Sequence, residues 1–129
     1  MIELSKSLNV EKDVHFMGFE KDREKIYGDK DIYLMTSKFE GMPNTLAEAM
    51  CYGIPVISTN CDFGPSDLIA NEDMGILLRD YEVETVVEAF KSIIENYDLS
   101  VKNAKTTKII IKDKYSYERI MNLWYECFK

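Results

Sequence analysis

Short apolar runs separated by longer stretches of helical periodicity are the main pattern along this chain. Four runs of four or five residues are dense in apolar side chains, at 14–17, 31–35, 55–59 and 75–78. The run at 55–59 is apolar on both faces, which is typical of a buried strand in a parallel sheet. Because these runs alternate with helical stretches, the pattern predicts an α/β fold with a parallel sheet.

Helix signals fill the segments between these strands. Asp22 is a suitable N-cap for a short helix that ends near residue 27. Asn44 has the side chain of an N-cap for a helix over 45–52, and Gly53 fits the turn that ends it. Further helical segments are predicted over 2–8, 66–70, 82–97, 100–112 and 116–128. The last helix is expected to bury four residues: Ile120, Leu123, Trp124 and Phe128.

Composition and charge restrict the function more than the fold. The chain has 129 residues, of which 46% are hydrophobic, and this is enough for a folded core rather than a disordered tail. The net charge of −7 argues against nucleic-acid binding, which needs a basic face. It does not argue against a small phosphorylated ligand, because backbone amides at helix N-termini bind phosphate without formal charge.

The cysteines and the N-terminal residues indicate the compartment. Cys51, Cys61 and Cys127 are far apart and form no C-x-x-C pair, which is typical of reduced thiols. The first twenty residues contain acidic side chains and no apolar run as long as the roughly 7–15 residues of a secretory signal, so they do not resemble one. No apolar stretch approaches the roughly 20 residues that span a bilayer. We therefore expect a cytoplasmic protein.

Two loops, at 37–43 and 60–65, are the candidate ligand-binding segments. They leave the carboxyl ends of predicted strands, where open α/β sheets bind ligands. Glu40 lies in the first loop, and Glu48 lies eight residues later, about one turn inside the following helix. Each carboxylate can accept hydrogen bonds from a pair of hydroxyls. Between them, the amides of residues 44–46 at the helix start favour a diphosphate.

The same glutamates have a simpler interpretation. A glutamate in the first turns of a helix is favoured by the helix dipole alone. One in a loop is usually a solvated surface residue. Spacing by itself leaves the two interpretations about equally supported.

The sequence around these glutamates resembles a known family. Residues 40–59, E-G-M-P-N-T-L-A-E-A-M-C-Y-G-I-P-V-I-S-T, are similar to the E-x7-E region of the retaining glycosyltransferases with the GT-B fold, called glycosyl transferase group 1. Residues 60–69, N-C-D-F-G-P-S-D-L-I, are similar to the G-P-x-E/D-I/L loop of members that act in bacterial glycan, capsule or lipid-linked oligosaccharide synthesis. The Y-S-Y-E at 115–118 resembles the F-S-W-E that starts the family's last helix.

The resemblance covers about residues 10–129, and it implies a fold. It implies the α/β class, with a partial Rossmann-like parallel sheet and flanking helices, as in the C-terminal half of a GT-B glycosyltransferase. It implies that the donor is a nucleotide-sugar, with a UDP-sugar as the expected one. Transfer would retain the anomeric configuration and would need no protein nucleophile, no metal and no other cofactor.

The resemblance also implies a role for each residue of the first loop and helix start. Glu40 would hold hydroxyls of the donor sugar and is the candidate catalytic residue. Glu48 would hold the ribose diol. The remaining donor-binding residues would pass close to the sugar and diphosphate or donate backbone N–H groups to the phosphates: Gly41, Met42, Pro43, Asn44, Thr45 and Leu46.

The resemblance further implies that parts of the enzyme are absent from this chain. The family carries an acceptor-binding domain, and an Arg/Lys pair that neutralises the diphosphate, before the region that matches. We therefore expect residues 1–129 to form a single, incomplete nucleotide-sugar-binding domain, and a glycan or lipid-linked acceptor to bind through the N-terminal domain. A gene fragment, a truncated chain or half of a split enzyme would each explain this. The alternative function is a non-catalytic module that binds nucleotide or a partner chain without chemistry.

Other charged residues are weaker candidates. His15, the only histidine, is expected to be structural or partly exposed, and Asp62 and Asp67 are too few ligands for a cation site. A stripe of lysines fits peripheral contact with the inner face of an anionic membrane, although a solvated face is the commoner reason for such a stripe. It consists of Lys102, Lys105, Lys108 and Lys112.

Overall fold

The computed structural model describes all of residues 1–129 and centres on a three-stranded parallel sheet. The strands follow chain order across the sheet: β1 (Tyr33–Met35), β2 (Val56–Thr59) and β3 (Ile76–Leu78). Ile57 of β2 pairs with Leu34 of β1 on one side and with Ile76 of β3 on the other. As the apolar pattern predicts, β2 is buried along its whole length, because it is the central strand.

Helices cover both faces of this sheet. The chain has seven helices in all: α1 (Ile2–Ser7), α2 (Arg23–Tyr27), α3 (Asn44–Tyr52), α4 (Pro65–Leu68), α5 (Val83–Glu95), α6 (Tyr97–Lys114) and α7 (Tyr117–Cys127). Neighbouring residues of β2 point to opposite faces. Val56 joins a core of ten buried residues that includes Leu46 of α3 and Ile111 of α6. Ile57 joins a smaller core that includes Ile93 of α5.

The caps of the helices near the candidate loops were predicted with mixed success. Asp22 caps α2, since its side chain accepts a hydrogen bond from the backbone N–H of Glu24 (3.0 Å). Gly53 ends α3 in the left-handed conformation, with φ of 79°. The prediction that Asn44 is an N-cap is wrong: it is the first residue of α3, follows Pro43, and makes no side-chain cap hydrogen bond. The carbonyl oxygen of Pro43 accepts the first hydrogen bond of the helix, from the N–H of Ala47 (3.1 Å), so Pro43 takes the N-cap position and Asn44 follows it.

The predicted strand over 14–17 is wrong. Residues 14–22 adopt no regular secondary structure, and the apolar Val14, Phe16, Met17 and Phe19 are exposed. An extended segment becomes a strand only when a neighbouring strand supplies its hydrogen bonds. No strand of this chain lies beside it.

The three C-terminal helices form as predicted, but the last one is not buried. Helix α6 is longer than predicted at both ends, and Ser116 caps α7 by accepting a backbone N–H at 3.3 Å. No residue of α7 is buried: Ile120 is half-buried, and Leu123, Trp124 and Phe128 are exposed, so the predicted burial of these four residues is wrong. No other element covers their side of the helix enough to bury it. Trp124 and Phe128 instead stack on each other, with ring centroids 6.2 Å apart.

Candidate functional site

The loops that follow β1 and β2 meet at the carboxyl edge of the sheet. Thr59, at the end of β2, donates its hydroxyl to the carbonyl oxygen of Ser37 in the first loop (2.6 Å). Gly64 in the second loop lies so close to the first that a Cβ there would overlap Pro43 and would lie 2.7 Å from the carbonyl oxygen of Gly41. The two candidate segments therefore form one surface, at the position where open α/β sheets bind ligands.

Helix α3 begins at this surface with two unpaired backbone amides. The N–H of Ala47 makes the first hydrogen bond of the helix, to the carbonyl oxygen of Pro43 (3.1 Å). The N–H groups of Thr45 and Leu46 have no protein acceptor. Three free amides were expected, but that of Asn44 is occupied, so two remain. The side chain of Leu46 is fully buried and anchors this turn to the core.

Glu48 lies one turn into α3, and protein groups already hold its carboxylate. Its Oε1 accepts a hydrogen bond from Nε of Arg23 (2.8 Å) and forms an ion pair with Nη2 of the same residue, also at 2.8 Å. Its Oε2 accepts one from the hydroxyl of Tyr27 at 3.1 Å. The Glu48 side chain is 30% exposed and that of Arg23 is 63% exposed. The carboxylate is therefore open to solvent on one side and held by α2 on the other.

Glu40 and Glu48 both lie near Tyr33 of β1. Glu40 is half-buried in the first loop, and no hydrogen bond or ion pair holds its carboxylate. The Tyr33 hydroxyl donates to Oγ1 of Thr45, at the start of α3 (2.8 Å). Burial raises the pKa of Tyr33, the bond with Thr45 lowers it, and the charges of Glu40 and Glu48 raise it again. Both carboxylates therefore act on a hydroxyl that is bonded at the start of α3.

Three residues of this site were missed by the sequence analysis: Arg23, Tyr27 and Tyr33. Tyr27 and Arg23 are 21 and 25 positions away from Glu48 along the chain, so no local spacing links them to it. Tyr27 and Tyr33 also read as ordinary core aromatics. The only sequence signals were the position of Tyr27 at the end of a predicted helix and that of Tyr33 in the strand that leads to the first loop.

The other charged residues considered in the sequence do not form a metal site. His15, Asp62 and Asp67 are exposed, and no group of three or more His, Cys, Asp or Glu side chains could hold a metal ion. All three cysteines are free. No helix is both long and apolar enough to cross a membrane.

The lysine stripe on α6 is interrupted. Lys102, Lys105 and Lys112 are exposed, whereas Lys108 is partly buried and packs beside Gly53 at the end of α3. Helix α6 turns its buried residues toward α3, so the remaining lysines face solvent.

A cavity of about 780 Å³ lies away from the candidate site, between β3, α5 and the first half of α6. It includes none of residues 40–48. The candidate site is therefore an open surface at the sheet edge and not this cavity.

Comparison with known sequences identifies relatives over most of the chain. The profile of the family described as glycosyl transferases group 1 matches residues 1–110. An uncharacterized glycosyltransferase of Haemophilus influenzae is 29% identical over 121 residues, which are 94% of this chain and 34% of the relative. The poly(ribitol-phosphate) alpha-N-acetylglucosaminyltransferase of Staphylococcus aureus is 27% identical over 120 residues, which are 93% of this chain and 24% of the relative. The chain thus spans about a quarter to a third of the length of these relatives.

Comparison with solved structures supports the same fold. A crystal structure of a S. aureus TarM point mutant, in complex with fondaparinux, alpha-GlcNAc-glycerol and UDP, matches with a TM-score of 0.88 and 25% identity. The match covers 98% of this chain and 26% of that one. The predicted fold class is confirmed: a partial Rossmann-like parallel sheet with flanking helices, as in the C-terminal half of a GT-B glycosyltransferase.

Proposed function

We propose that this chain, which belongs to the glycosyl transferases group 1 family, is the donor-binding part of an enzyme that transfers a sugar from a nucleotide-sugar with retention of configuration. A UDP-sugar is the proposed donor, and the UDP in the S. aureus TarM complex supports it. The proposed acceptor is a glycan or a lipid-linked saccharide, bound through a preceding acceptor domain. The poly(ribitol-phosphate) substrate named for one relative supports a glycan-type acceptor.

The two free amides at the start of α3, between two carboxylates, are the observation that carries this proposal. The N–H groups of Thr45 and Leu46, together with the helix dipole, would bind the diphosphate. Glu48 would then bind the ribose diol on one side, and Glu40 the sugar hydroxyls on the other. A Cβ added at Gly41 would meet no atom within 4 Å, so open space for a sugar lies beside this backbone. Met42 and Asn44, which are exposed, complete the proposed donor contacts, whereas the side chain of Pro43 is fully buried against Gly64 and shapes the loop.

Catalysis would come from positioning and from stabilising charge. The bond between the anomeric carbon and the diphosphate oxygen breaks, and the acceptor oxygen bonds to that carbon on the same face. A phosphate oxygen of the departing diphosphate takes the proton of the acceptor hydroxyl. The amides of Thr45 and Leu46 would stabilise the charge that grows on the diphosphate, and Glu40 would orient the sugar. The proposal needs no metal and no other cofactor.

Calorimetric titration of the chain with UDP and UDP-sugars tests the proposal. We expect the Glu48→Ala variant to weaken binding of free UDP roughly tenfold or more, because its charged hydrogen bonds to the ribose are lost. Glu40→Ala should leave free UDP nearly unchanged and should weaken only the UDP-sugar. Glu88→Ala is the matched control, since Glu88 is also a helix glutamate paired with an arginine, at 3.3 Å, but far from the loops. Equal loss of UDP in both site variants would contradict the assigned roles, and absence of any nucleotide binding would contradict the proposal.

A non-catalytic module that binds nucleotide or a partner chain is the second candidate. The ion pair of Arg23 with Glu48, which occupies the proposed ribose ligand, favours it. Sugar transfer from a radiolabelled UDP-sugar, measured with the chain alone and with a separately supplied N-terminal half of a relative, distinguishes the two. UDP binding without transfer in either mixture supports the module.

We propose a cytoplasmic location, which the three free cysteines support. Peripheral contact with the inner face of a membrane would involve the exposed Lys102, Lys105 and Lys112. Co-sedimentation with vesicles of anionic phospholipid tests this contact, and absence of binding at low salt would contradict it.

A further inference from the structure

Two protein groups of different kinds hold the carboxylate of Glu48. We propose that Tyr27 is a positioning residue that fixes Glu48 for the ribose diol, and that Arg23 covers this carboxylate only until the nucleotide arrives. This inference rests on the proposed function, because it needs Glu48 to be the ribose-binding group. It goes further by assigning opposite roles to the two residues of α2.

The side chain of Tyr27 is fixed by the packing around it. Its side chain is 3% exposed, at the end of α2. Its ring packs against those of Tyr52 and Tyr33, with centroids 5.3 and 6.3 Å away. Only its hydroxyl reaches a polar partner, Oε2 of Glu48. Burial and this hydrogen bond both raise the pKa of Tyr27, so the hydroxyl keeps its proton and remains a donor at neutral pH.

The side chain of Arg23 can move away from Glu48 at little cost. Its side chain is mostly exposed, and ion pairs between exposed side chains contribute little to stability. It can swing into water without breaking any other hydrogen bond or ion pair. Tyr27 has no such freedom, because its ring is enclosed by the core.

The hydrogen-bonding capacity of Glu48 explains why one of the two must leave. Each carboxylate oxygen has about two acceptor positions. Nε of Arg23 donates to Oε1 and Nη2 lies 2.8 Å from the same oxygen, while the hydroxyl of Tyr27 donates to Oε2. With both nitrogens of Arg23 against Oε1, only Oε2 has an acceptor position left for a ribose diol, which donates from two hydroxyls. Departure of Arg23 opens Oε1 to the diol, while the bond to Tyr27 keeps the carboxylate facing it.

Holding Glu48 in advance strengthens binding, because a side chain that is already oriented loses less entropy when the ligand arrives. We therefore expect the Tyr27→Phe variant to bind UDP about threefold to tenfold more weakly, measured by calorimetry on the full chain. Tyr52→Phe is the matched control. It removes a hydroxyl from the same aromatic cluster, and that hydroxyl makes no hydrogen bond to Glu48.

A double-mutant cycle separates positioning from a general structural effect. When Glu48→Ala is already present, Tyr27→Phe should cause no further loss of UDP affinity. It should also have no effect on 2′,3′-dideoxy-UDP, which lacks the diol. A loss of the same size in the Glu48→Ala background, or with the dideoxy ligand, would overturn the positioning role.

Arg23→Gln tests the second half of the inference. In about 0.5 M salt, where long-range attraction to the diphosphate is screened, we expect UDP affinity to stay equal or to rise, since the competitor for Oε1 is gone. A fall as large as that of Tyr27→Phe would overturn the role of Arg23. If the unchanged chain binds UDP and Glu48→Ala abolishes binding, but Tyr27→Phe binds normally, the inference fails and the proposed function stands. If the unchanged chain binds no nucleotide, both fail.

Discussion

The contact between the two candidate loops depends on a single residue, Gly64. Its φ of 100° lies in the region that favours glycine. In any other residue, the Cβ would replace one hydrogen of Gly64 and would overlap Pro43 and the carbonyl oxygen of Gly41. The second loop can therefore reach the first only because a side chain is absent at this position.

Replacement of Gly64 by alanine should open this contact. We expect Gly64→Ala to lower the free energy of unfolding by about 1–3 kcal/mol, because it adds both backbone strain and a steric overlap. Binding of UDP-sugar should weaken as well, since residues 41–43 would shift. Urea unfolding and calorimetry measure the two effects.

Gly18→Ala is the matched control for Gly64→Ala. Gly18 also has a positive φ, of 67°, but a Cβ there would meet no atom within 4 Å. It therefore carries the strain without the overlap. Equal losses in the two variants, with unchanged UDP-sugar binding, would show that the contact between the loops is unimportant.

At the level of elements, the short helix α2 supports the second turn of α3. It has only five residues, and a helix of that length is not stable by itself in water. The Asp22 cap and the packing of Tyr27 hold it in place, and they thereby place two hydrogen-bond donors on Glu48. The order of the candidate site thus depends on a five-residue helix that Tyr27 and Ile26 attach to the core.

Loss of the cap should therefore affect both stability and binding. We expect Asp22→Ala to lower the free energy of unfolding by about 1 kcal/mol, since one backbone N–H at the start of α2 loses its acceptor. UDP affinity should fall at the same time, because fraying of α2 releases Tyr27. Asp22→Asn should retain most of both, as asparagine also caps helices. Urea unfolding and calorimetry check these values, and equal losses in the two variants would argue against a capping role.

On the scale of the whole molecule, the core is concentrated around β2, α3 and α6. Ile111 of α6 is 1% exposed and belongs to the main cluster with Leu46 and Val56. The ends of the molecule differ from this centre. Residues 14–19 and helix α7 leave large apolar side chains in contact with solvent, among them Trp124.

Stability should therefore be unevenly distributed along the chain. We expect deletion of residues 117–129 to lower the free energy of unfolding by less than about 1 kcal/mol, because α7 buries no residue and its ion pair with α6 is exposed. Ile111→Ala should lower it by about 2–4 kcal/mol through loss of buried methyl groups. Both are measured by urea unfolding. A deletion as costly as Ile111→Ala would show that α7 packs more tightly on the body than its exposure indicates.

Local patterns were enough to predict much of the fold and which two loops meet at the carboxyl edge of the sheet. The apolar run at 55–59 predicts a central parallel strand, and Asp22 predicts the start of α2, because these signals act within a few residues. The E-x7-E segment also predicts that Glu40 and Glu48 flank a helix start. In the structure Glu40 lies in the loop before α3 and Glu48 lies inside α3, while their binding roles stay predictions.

Only the tertiary structure decided what surrounds these local elements. Residues 14–17 have the composition of a strand but no neighbouring strand to bond with, and Leu123 and Trp124 have helical apolar spacing but no element that buries them. The partners of Glu48 come from a helix more than twenty positions earlier. Periodicity specifies which way a side chain points along its own element, whereas burial and hydrogen-bond partners depend on which distant elements the fold brings beside it.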